Sequence, residues 1–296
     1  MSMKIVLTGK NGQLGFELRR SLALLGEIYA IDAGQCDLRD EAAICQLVAA
    51  YRPDLIVNAA AYTAVDQAES DAATAHAVNA RAAAIFAEQA ERLGAMLVHF
   101  STDYVFDGNK HGAYTESDVP NPQNVYGATK LAGEQAVHHG CARHLILRSS
   151  WVVGAHGDNF AKTMLRLAEQ HDTLDVVADQ FGAPTSAALL ADLTAHLVQQ
   201  ARRDGADFPY GLYHAAAGGD TSWHQFACHV IERARAAGRP IRVGRDAVRP
   251  VPASAYPTLA KRPGNSRLDT TRLRATFGLH VPHWQEGVDH VLDQIL

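Results

Sequence analysis

A chain of 296 residues with 47% hydrophobic content can bury a large core, enough for one nucleotide-binding domain and a smaller appendage. Its formal net charge of −5, with no basic block and no aromatic-interleaved Lys/Arg stripe, excludes the electrostatic footprint of a nucleic-acid partner. The longest apolar runs are strand-length and broken by polar residues, and the first residues lack a secretory h-region, so neither a membrane span nor export is expected and the cytoplasm is the default location.

In chain order, Met3-Lys-Ile-Val-Leu-Thr8 reads as a buried strand that runs into Gly9-Lys-Asn-Gly12-Gln-Leu-Gly15 and then a helix over Phe16–Leu25. Glycines in such a turn let a pyrophosphate approach backbone amides at a helix N-terminus, where orphan N–H groups and the macrodipole favour an anion. Gly9, Asn11, Gly12, Gln13 and Leu14 are therefore candidate cofactor-binding residues. The spacing is Gly-x-x-Gly-x-x-Gly rather than Gly-x-Gly-x-x-Gly, and a plain tight turn is the alternative reading. Asp32 closes the next apolar run, Glu27–Asp32, roughly where an acid binds the adenosine ribose hydroxyls, which leans towards NADH without excluding NADPH. Asp37 and Leu38 follow at a spacing suited to the adenine edge, with a solvated loop acid as the other account of Asp37.

Leu55–Asn58 precedes a helix near Ala72–Leu93, Ala95–Ser101 precedes a loop and a helix around Tyr126, and His144–Arg148 reads as a further core strand. This βαβ rhythm predicts an α/β fold, a Rossmann-like doubly wound parallel sheet with ligands at the strand C-terminal ends. Ala61, Tyr62 and Thr63, then Ser101-Thr102-Asp103, then Ser149-Ser150-Trp151, all follow strands and should gather around a nicotinamide cleft. After residue 170 the pattern is less regular, and Arg249-Pro-Val-Pro-Ala-Ser-Ala-Tyr-Pro257 resembles an extended connector. Residues 1–150 are expected to form the NAD(P)-binding domain, and 151–296 mainly a smaller substrate-binding lobe interleaved with late elements of the first.

Tyr126 and Lys130 sit four residues apart in a segment that reads as helix, which stacks both side chains on one face. An ammonium beside a phenol favours the phenolate and pulls the tyrosine pKa down from about 10, so that the hydroxyl exchanges a proton near neutral pH. That is acid/base chemistry for a carbonyl or an alcohol. His76, His99, His214 and His224 lack paired metal-site spacing and read as structural, as do His138 and His139 at a helix end. Cys36, Cys45, Cys141 and Cys228 show no C-x-x-C spacing and read as reduced thiols.

Gly9-x-x-Gly12-x-x-Gly15, Ser101-Thr-Asp-Tyr-Val-Phe-Asp-Gly108, Val125-Tyr126-Gly-x-x-Lys130-x-x-Gly-Glu134 and Arg262-Pro-Gly-Asn-Ser-Arg267 together resemble the extended short-chain dehydrogenase/reductase superfamily, and more narrowly its dTDP-4-dehydrorhamnose reductase family. The likeness extends past residue 150, through Asn159–Ala168, Asp179–Thr185 and Ala255–Thr258, where generic superfamily similarity would stop. It implies an NADPH- or NADH-dependent reduction of a dTDP-4-keto sugar. Tyr126 would donate the proton, Lys130 would tune it and bind the nicotinamide ribose, and Thr102 would share the substrate oxygen. Asp103, Tyr104 and Trp151 would line the sugar pocket, and Arg262 and Asn265 would face the dTDP moiety, with a surface salt-bridge face as the alternative for that cluster. Related dehydratases place a glutamate where Tyr104 stands; its absence favours net reduction over dehydration, although another nucleotide-sugar reductase or an epimerase stays open.

Some family members hold magnesium between subunits with glutamates. At those places this chain carries Glu17, Ala188 and Gln294, so no bridging metal is expected and the state is monomer or homodimer. A different class also remains open, a non-catalytic NADP-binding regulatory subunit of the methionine adenosyltransferase type.

Overall fold

Strands that are apolar on successive residues need cover on both faces, and the first half of the chain supplies it. The computed structural model describes residues 2–296. Met3–Thr8 (β1), Gln13–Leu22 (α1), Gly26–Ile31 (β2), Glu41–Tyr51 (α2) and Leu55–Asn58 (β3) open the chain. Val65–Ala68 (α3) and Ala72–His76 (α4) lead through a π-helical turn, Ala77–Arg81, into Ala82–Leu93 (α5), then Met96–Thr102 (β4), Val125–Gly140 (α6) and His144–Ser149 (β5). Val152–Val153 (β6), Phe160–Gln170 (α7), Leu174–Val177 (β7), Phe181–Gly182 (β8), Thr185–Ser186 (β9) and Ala187–Asp204 (α8) follow. Gly211–His214 (β10), Thr221–Ser222 (β11), Trp223–Ala236 (α9), Val248–Val251 (β12), Thr271–Phe277 (α10) and Trp284–Ile295 (α11) complete it.

Among the described residues, six strands form one parallel sheet in the order β10-β5-β4-β3-β1-β2. Alternation splits its side chains between two cores. Ile5, Leu7, Val57, Val98 and Leu147 pack with α1 and α8 through Leu18, Leu22, Leu190 and Leu197. Ile56, Leu97 and Ile146 face the other way, onto Ile44, Val48 and Phe86 of α2 and α5 and Val137 of α6. Helices on both faces of a parallel sheet make this the doubly wound α/β fold that the sequence predicts. A separate core, with Met164, Phe226, Val230, Trp284, Val288 and Leu292, builds a second lobe from α7, α9 and α11. The chain nevertheless returns from that lobe: α8 covers the sheet and β10 forms its edge, so the two units are threaded through each other.

Three local expectations change. The first helix starts at Gln13 and ends at Leu22 instead of spanning 16–25, because Gly12 caps it and two turn bonds, Ala23 N–H to Arg20 O and Leu25 N–H to Leu22 O, close it ahead of β2. The expected continuous helix over 72–93 contains the π turn, which carries buried Asn79. Its amide clamps the Tyr62 backbone through both N–H (2.8 Å) and C=O (3.2 Å) and donates to Thr129 Oγ1 at 3.1 Å. The proline-rich stretch at 249–257 is partly β12, paired in parallel with β7; a two-strand edge tolerates Pro250, which has no N–H to give.

α6 is held to the sheet by a pair of opposite charges. Glu134 accepts two hydrogen bonds from Arg148 of β5, at 2.8 and 2.6 Å, with both side chains buried. Removing one partner strands a buried charge, which typically costs about 3–5 kcal/mol. Glu134→Ala is therefore expected to lower unfolding free energy by about that amount in urea titrations; a loss under about 1 kcal/mol would contradict the anchoring role.

Candidate active site

The strands β1, β3 and β4 end together on one edge of the sheet, and the loops that follow them enclose a cleft of about 1110 Å³. Gly9 takes a φ of +74°, and a Cβ there would meet Ala60 N at 2.9 Å, so the turn excludes other residues on both counts. Gly12 caps α1 without a side-chain hydrogen bond, leaving the first amides of that helix free to meet an anion. A bare helix N-terminus at the mouth of a long cleft fits a dinucleotide diphosphate. Every expected cofactor-binding residue lines this cleft except Tyr62, whose backbone is clamped by Asn79 and whose hydroxyl turns to Asp71 at 3.4 Å.

At the far end of the cleft the electrostatics are set by cations that sequence spacing does not reveal. Lys10 Nζ lies 3.0 Å from Asp32 and also donates to Gln35. Asn11 and Gly34 N–H add further bonds to Asp32, and these donors, Lys10 first, hold its carboxyl below the usual range. Arg39 pairs with Asp37 at 2.6 Å and pulls that carboxyl down to about 2. The two acids are thus presented as ion pairs, with Arg39 itself on the cleft wall.

At the near end half-buried Tyr126 and buried Lys130 share one face of α6. Asn124 starts that helix by accepting from Gly127 N–H at 2.7 Å, and Gly127 lets it approach β4's exit, since a Cβ there would fall 2.2 Å from Tyr104 O. Lys130 Nζ donates to the Phe100 carbonyl at 2.6 Å, and burial lowers its pKa to about 8 while Glu134 opposes that. Tyr126 departs from expectation. Burial pushes its phenol well up, and the Thr102 hydroxyl within hydrogen-bonding reach offsets this only in part. Lys130 is engaged with the β4 backbone and is not among the groups that shift the phenol, so in the protein alone the tyrosine is a firmly protonated donor.

Asp103 is buried beside this pair. Thr102 donates to its Oδ1 at 3.2 Å, Oδ2 has no hydrogen-bond partner of acceptable geometry among the described residues, and burial raises the carboxyl to about 6. The Tyr104 ring meets Tyr126 edge-on with centroids 5.4 Å apart, and its hydroxyl accepts from Arg262 at 3.3 Å. Arg262 also grips Asp66 of α3 at 2.5 Å, which straps the C-terminal loop over the site. Two of the expected substrate-contact residues also have partners within the protein. Trp151, at a φ of +49°, stacks on Trp223 with centroids 3.6 Å apart, as part of lobe packing. Asn265 spends its amide on the Lys110 and Gly112 carbonyls and on Arg267, which makes it a loop brace. Trp223 and Asp66 are the partners that no local motif announced.

At the places of the bridging metal, Glu17 is paired with Arg20 at 3.0 Å and Ala188 offers no ligand; among the described residues no three metal-ligating side chains cluster. That donor set does not fit a hard dication. Among the same residues no helix is long and apolar enough to cross a membrane.

A glycine-capped dinucleotide cleft ending on a Thr-Tyr-Lys cluster defines the extended short-chain dehydrogenase/reductases. A family model described as RmlD substrate binding domain matches residues 3–296, and the chain belongs to that family. It is 48% identical over 299 aligned positions to the dTDP-4-dehydrorhamnose reductase of Escherichia coli K12, covering 99% of this chain and 98% of that protein. Solved reductases of the same name are similar throughout. One from Clostridium acetobutylicum has a TM-score of 0.90 at 36% identity, covering 98% of this chain and 99% of its own. One from Bacillus anthracis, in complex with NADP, has a TM-score of 0.89 at 36% identity, covering 99% and 100%.

The raised Asp103 carboxyl makes a stability prediction. Its folded pKa, about 6, lies above the ordinary 3.8, so the native state holds a proton that the unfolded chain releases. The stabilisation is complete below pH about 4 and is lost as pH rises through about 6, amounting to about 3 kcal/mol at 1.36 per unit. Asp103→Asn should flatten stability across that window and leave the variant about 3 kcal/mol more stable than the parent at pH 7.5, read by urea unfolding. Equal stability of the two at both ends would refute the buried-acid assignment.

Proposed function

We propose that this chain reduces the C4 ketone of dTDP-4-dehydro-β-L-rhamnose to dTDP-β-L-rhamnose, the last step of dTDP-L-rhamnose synthesis, with NADPH or NADH. The observation that carries the reading is the end-to-end likeness to dTDP-4-dehydrorhamnose reductases, combined with Tyr126 and Lys130 on the wall of one cleft and Thr102 beside Tyr126. The cofactor supplies the hydride. Tyr126 supplies the proton to the ketone oxygen, and its raised pKa suits that direction: a reductase needs the phenol in its protonated form at neutral pH. The alkoxide that forms at C4 is strongly basic, so it accepts a proton even from a phenol whose pKa burial has raised. Thr102 shares the same oxygen and orients it. Lys130 compensates the phenolate left behind, which lowers the cost of charge in a buried site.

Asp103 Oδ2, buried and unbonded, is the acceptor for a sugar hydroxyl. Arg262, already facing Tyr104 over the site, is the donor best placed for the diphosphate, and Trp151 frames the sugar pocket from the lobe side. Lys10 on Asp32 and Arg39 on Asp37 supply cations at the ribose end that would turn to a 2′-phosphate, so this reading takes NADPH as well as NADH. It implies a cytoplasmic enzyme, as a monomer or homodimer.

The test is direct: supply the 4-keto sugar nucleotide with NADPH or NADH and follow absorbance of the reduced nicotinamide. A flat trace with every keto-sugar nucleotide would favour a cofactor-binding regulatory protein. Tyr126→Phe should lower turnover by at least about 10²-fold while leaving NADPH binding within about threefold by fluorescence; near-normal turnover would remove Tyr126 from the mechanism. Replacing Lys10 and Arg39 together by alanine should raise KM for NADPH by about tenfold more than KM for NADH. An equal effect on both cofactors would place the 2′-phosphate elsewhere.

A further inference from the structure

Lys130 is met from below by a polar row that the reaction as described does not use. Thr8 of β1, Asn58 of β3 and His99 of β4 are register neighbours on three adjacent strands, and all three are buried. Thr8 Oγ1 accepts the Ala60 N–H at 3.1 Å and lies 2.8 Å from Asn58 Oδ1. An amide oxygen only accepts, so the hydroxyl gives its proton to Asn58 Oδ1. The Asn58 amide is then oriented with its nitrogen as donor to His99 Nδ1, at 3.2 Å. An imidazole whose Nδ1 accepts carries its proton on Nε2 when neutral, and Nε2 lies 3.5 Å from Lys130 Nζ.

We propose that His99 is a positioning residue of the reducing centre: the Thr8–Asn58 pair locks its tautomer so that Nε2–H faces Lys130, which opposes the ammonium form and limits the alkaline range of the enzyme. The physical reason is that an ammonium has only donors. Phe100 O satisfies one of them, at 2.6 Å, but His99 presents another N–H where an acceptor would be needed. The neutral amine, with its lone pair, suits that partner better.

The other groups around Lys130 do not cancel this. Glu134, one turn on along α6, favours the charged form, yet both its oxygens are taken by Arg148 of β5. Tyr126, one turn back, is neutral, and Asp103 beyond it is a weakened acid. His99 itself is kept neutral: burial, and then the lysine charge, hold its pKa well below the ordinary imidazole value. Burial, opposed by Glu134, places Lys130 at about 8.

The inference rests on Lys130 serving Tyr126 as proposed above, and its test separates the two. Turnover should fall as pH rises through about 8, where Lys130 loses its proton. His99→Gln puts an amide oxygen near the position of Nε2, where it accepts from the ammonium. The alkaline limb of kcat/KM at saturating NADPH should then move up by at least about half a pH unit, a threefold change in the acid constant. Asn58→Asp, which accepts from Nδ1–H and so turns Nε2 into an acceptor, should move the limb the same way and serves if His99→Gln does not fold. A merely structural histidine would change stability or kcat but leave the limb in place. The second measurement needs no cofactor: ¹⁵N NMR of the labelled protein, with the His99 ring assigned by difference from a variant, should show a neutral imidazole protonated at Nε2. An unmoved limb in whichever variant folds, or an Nδ1–H or doubly protonated ring, overturns the proposal. Full activity of Tyr126→Phe would instead overturn the reading beneath it.

Discussion

The seating of α6 on the sheet is the constraint on which the rest depends. Tyr126 and Lys130 have a defined relation to the strand ends only because this helix cannot slide. Glu134 is tied to Arg148 on β5, Lys130 reaches the Phe100 carbonyl on β4, and Gly127 and Gly133 let the helix come so close that a Cβ at either would fall 2.2 Å from a backbone oxygen. One face of α6 thus carries both its structural anchors and the proposed reacting groups. The same contacts bury the amine and half-bury the phenol. That burial decides their chemistry before any ligand arrives: it makes the tyrosine a stronger holder of its proton and the lysine a weaker one.

This reverses the intuitive picture of a lysine that acidifies its tyrosine. In the protein alone desolvation wins over Coulombic help, since the ammonium points at a backbone carbonyl and a histidine. For a reductase the outcome is favourable. In the proposed reaction the phenol must be protonated when hydride reaches the ketone, and a group whose pKa is lifted by burial meets that condition at any physiological pH. The lysine's proposed part comes afterwards, when a phenolate is left in a low-dielectric site. Asp103 belongs to the same environment, being kept partly protonated by the same dry pocket.

Much of this was legible in the residues. Strand-length apolar runs with glycine turns gave the parallel sheet and its ligand edge, because burial on both faces leaves a recognisable pattern. Tyr126, Lys130, Thr102 and nearly all of the expected cofactor residues converge because they follow strand ends in one βαβ series, a geometry that topology alone dictates. What stayed hidden depends on long-range partners. Nothing near Asn265 in sequence says that Lys110 and Gly112 will absorb its amide, and nothing near Trp151 announces Trp223, some seventy residues on. The π turn around Asn79 is invisible to a helical period, since it exists to serve Tyr62 and Thr129. His99 reads as an ordinary buried histidine until β1, β3 and β4 are laid side by side. The C-terminal half is the least readable, because its short paired strands and threaded return to the sheet carry no periodic signal.

In the proposed reaction a hydride reaches C4 of the sugar while a protein phenol protonates the oxygen. Turnover of the 4-keto sugar nucleotide with NADPH deuterated at the nicotinamide C4 tests this most directly, with the product read by NMR and mass spectrometry. The account predicts one deuterium, on one face of sugar C4 and at no other carbon, transferred from a single prochiral position of the cofactor. Product without deuterium at C4, or a nicotinamide that is bound but never consumed, would contradict it.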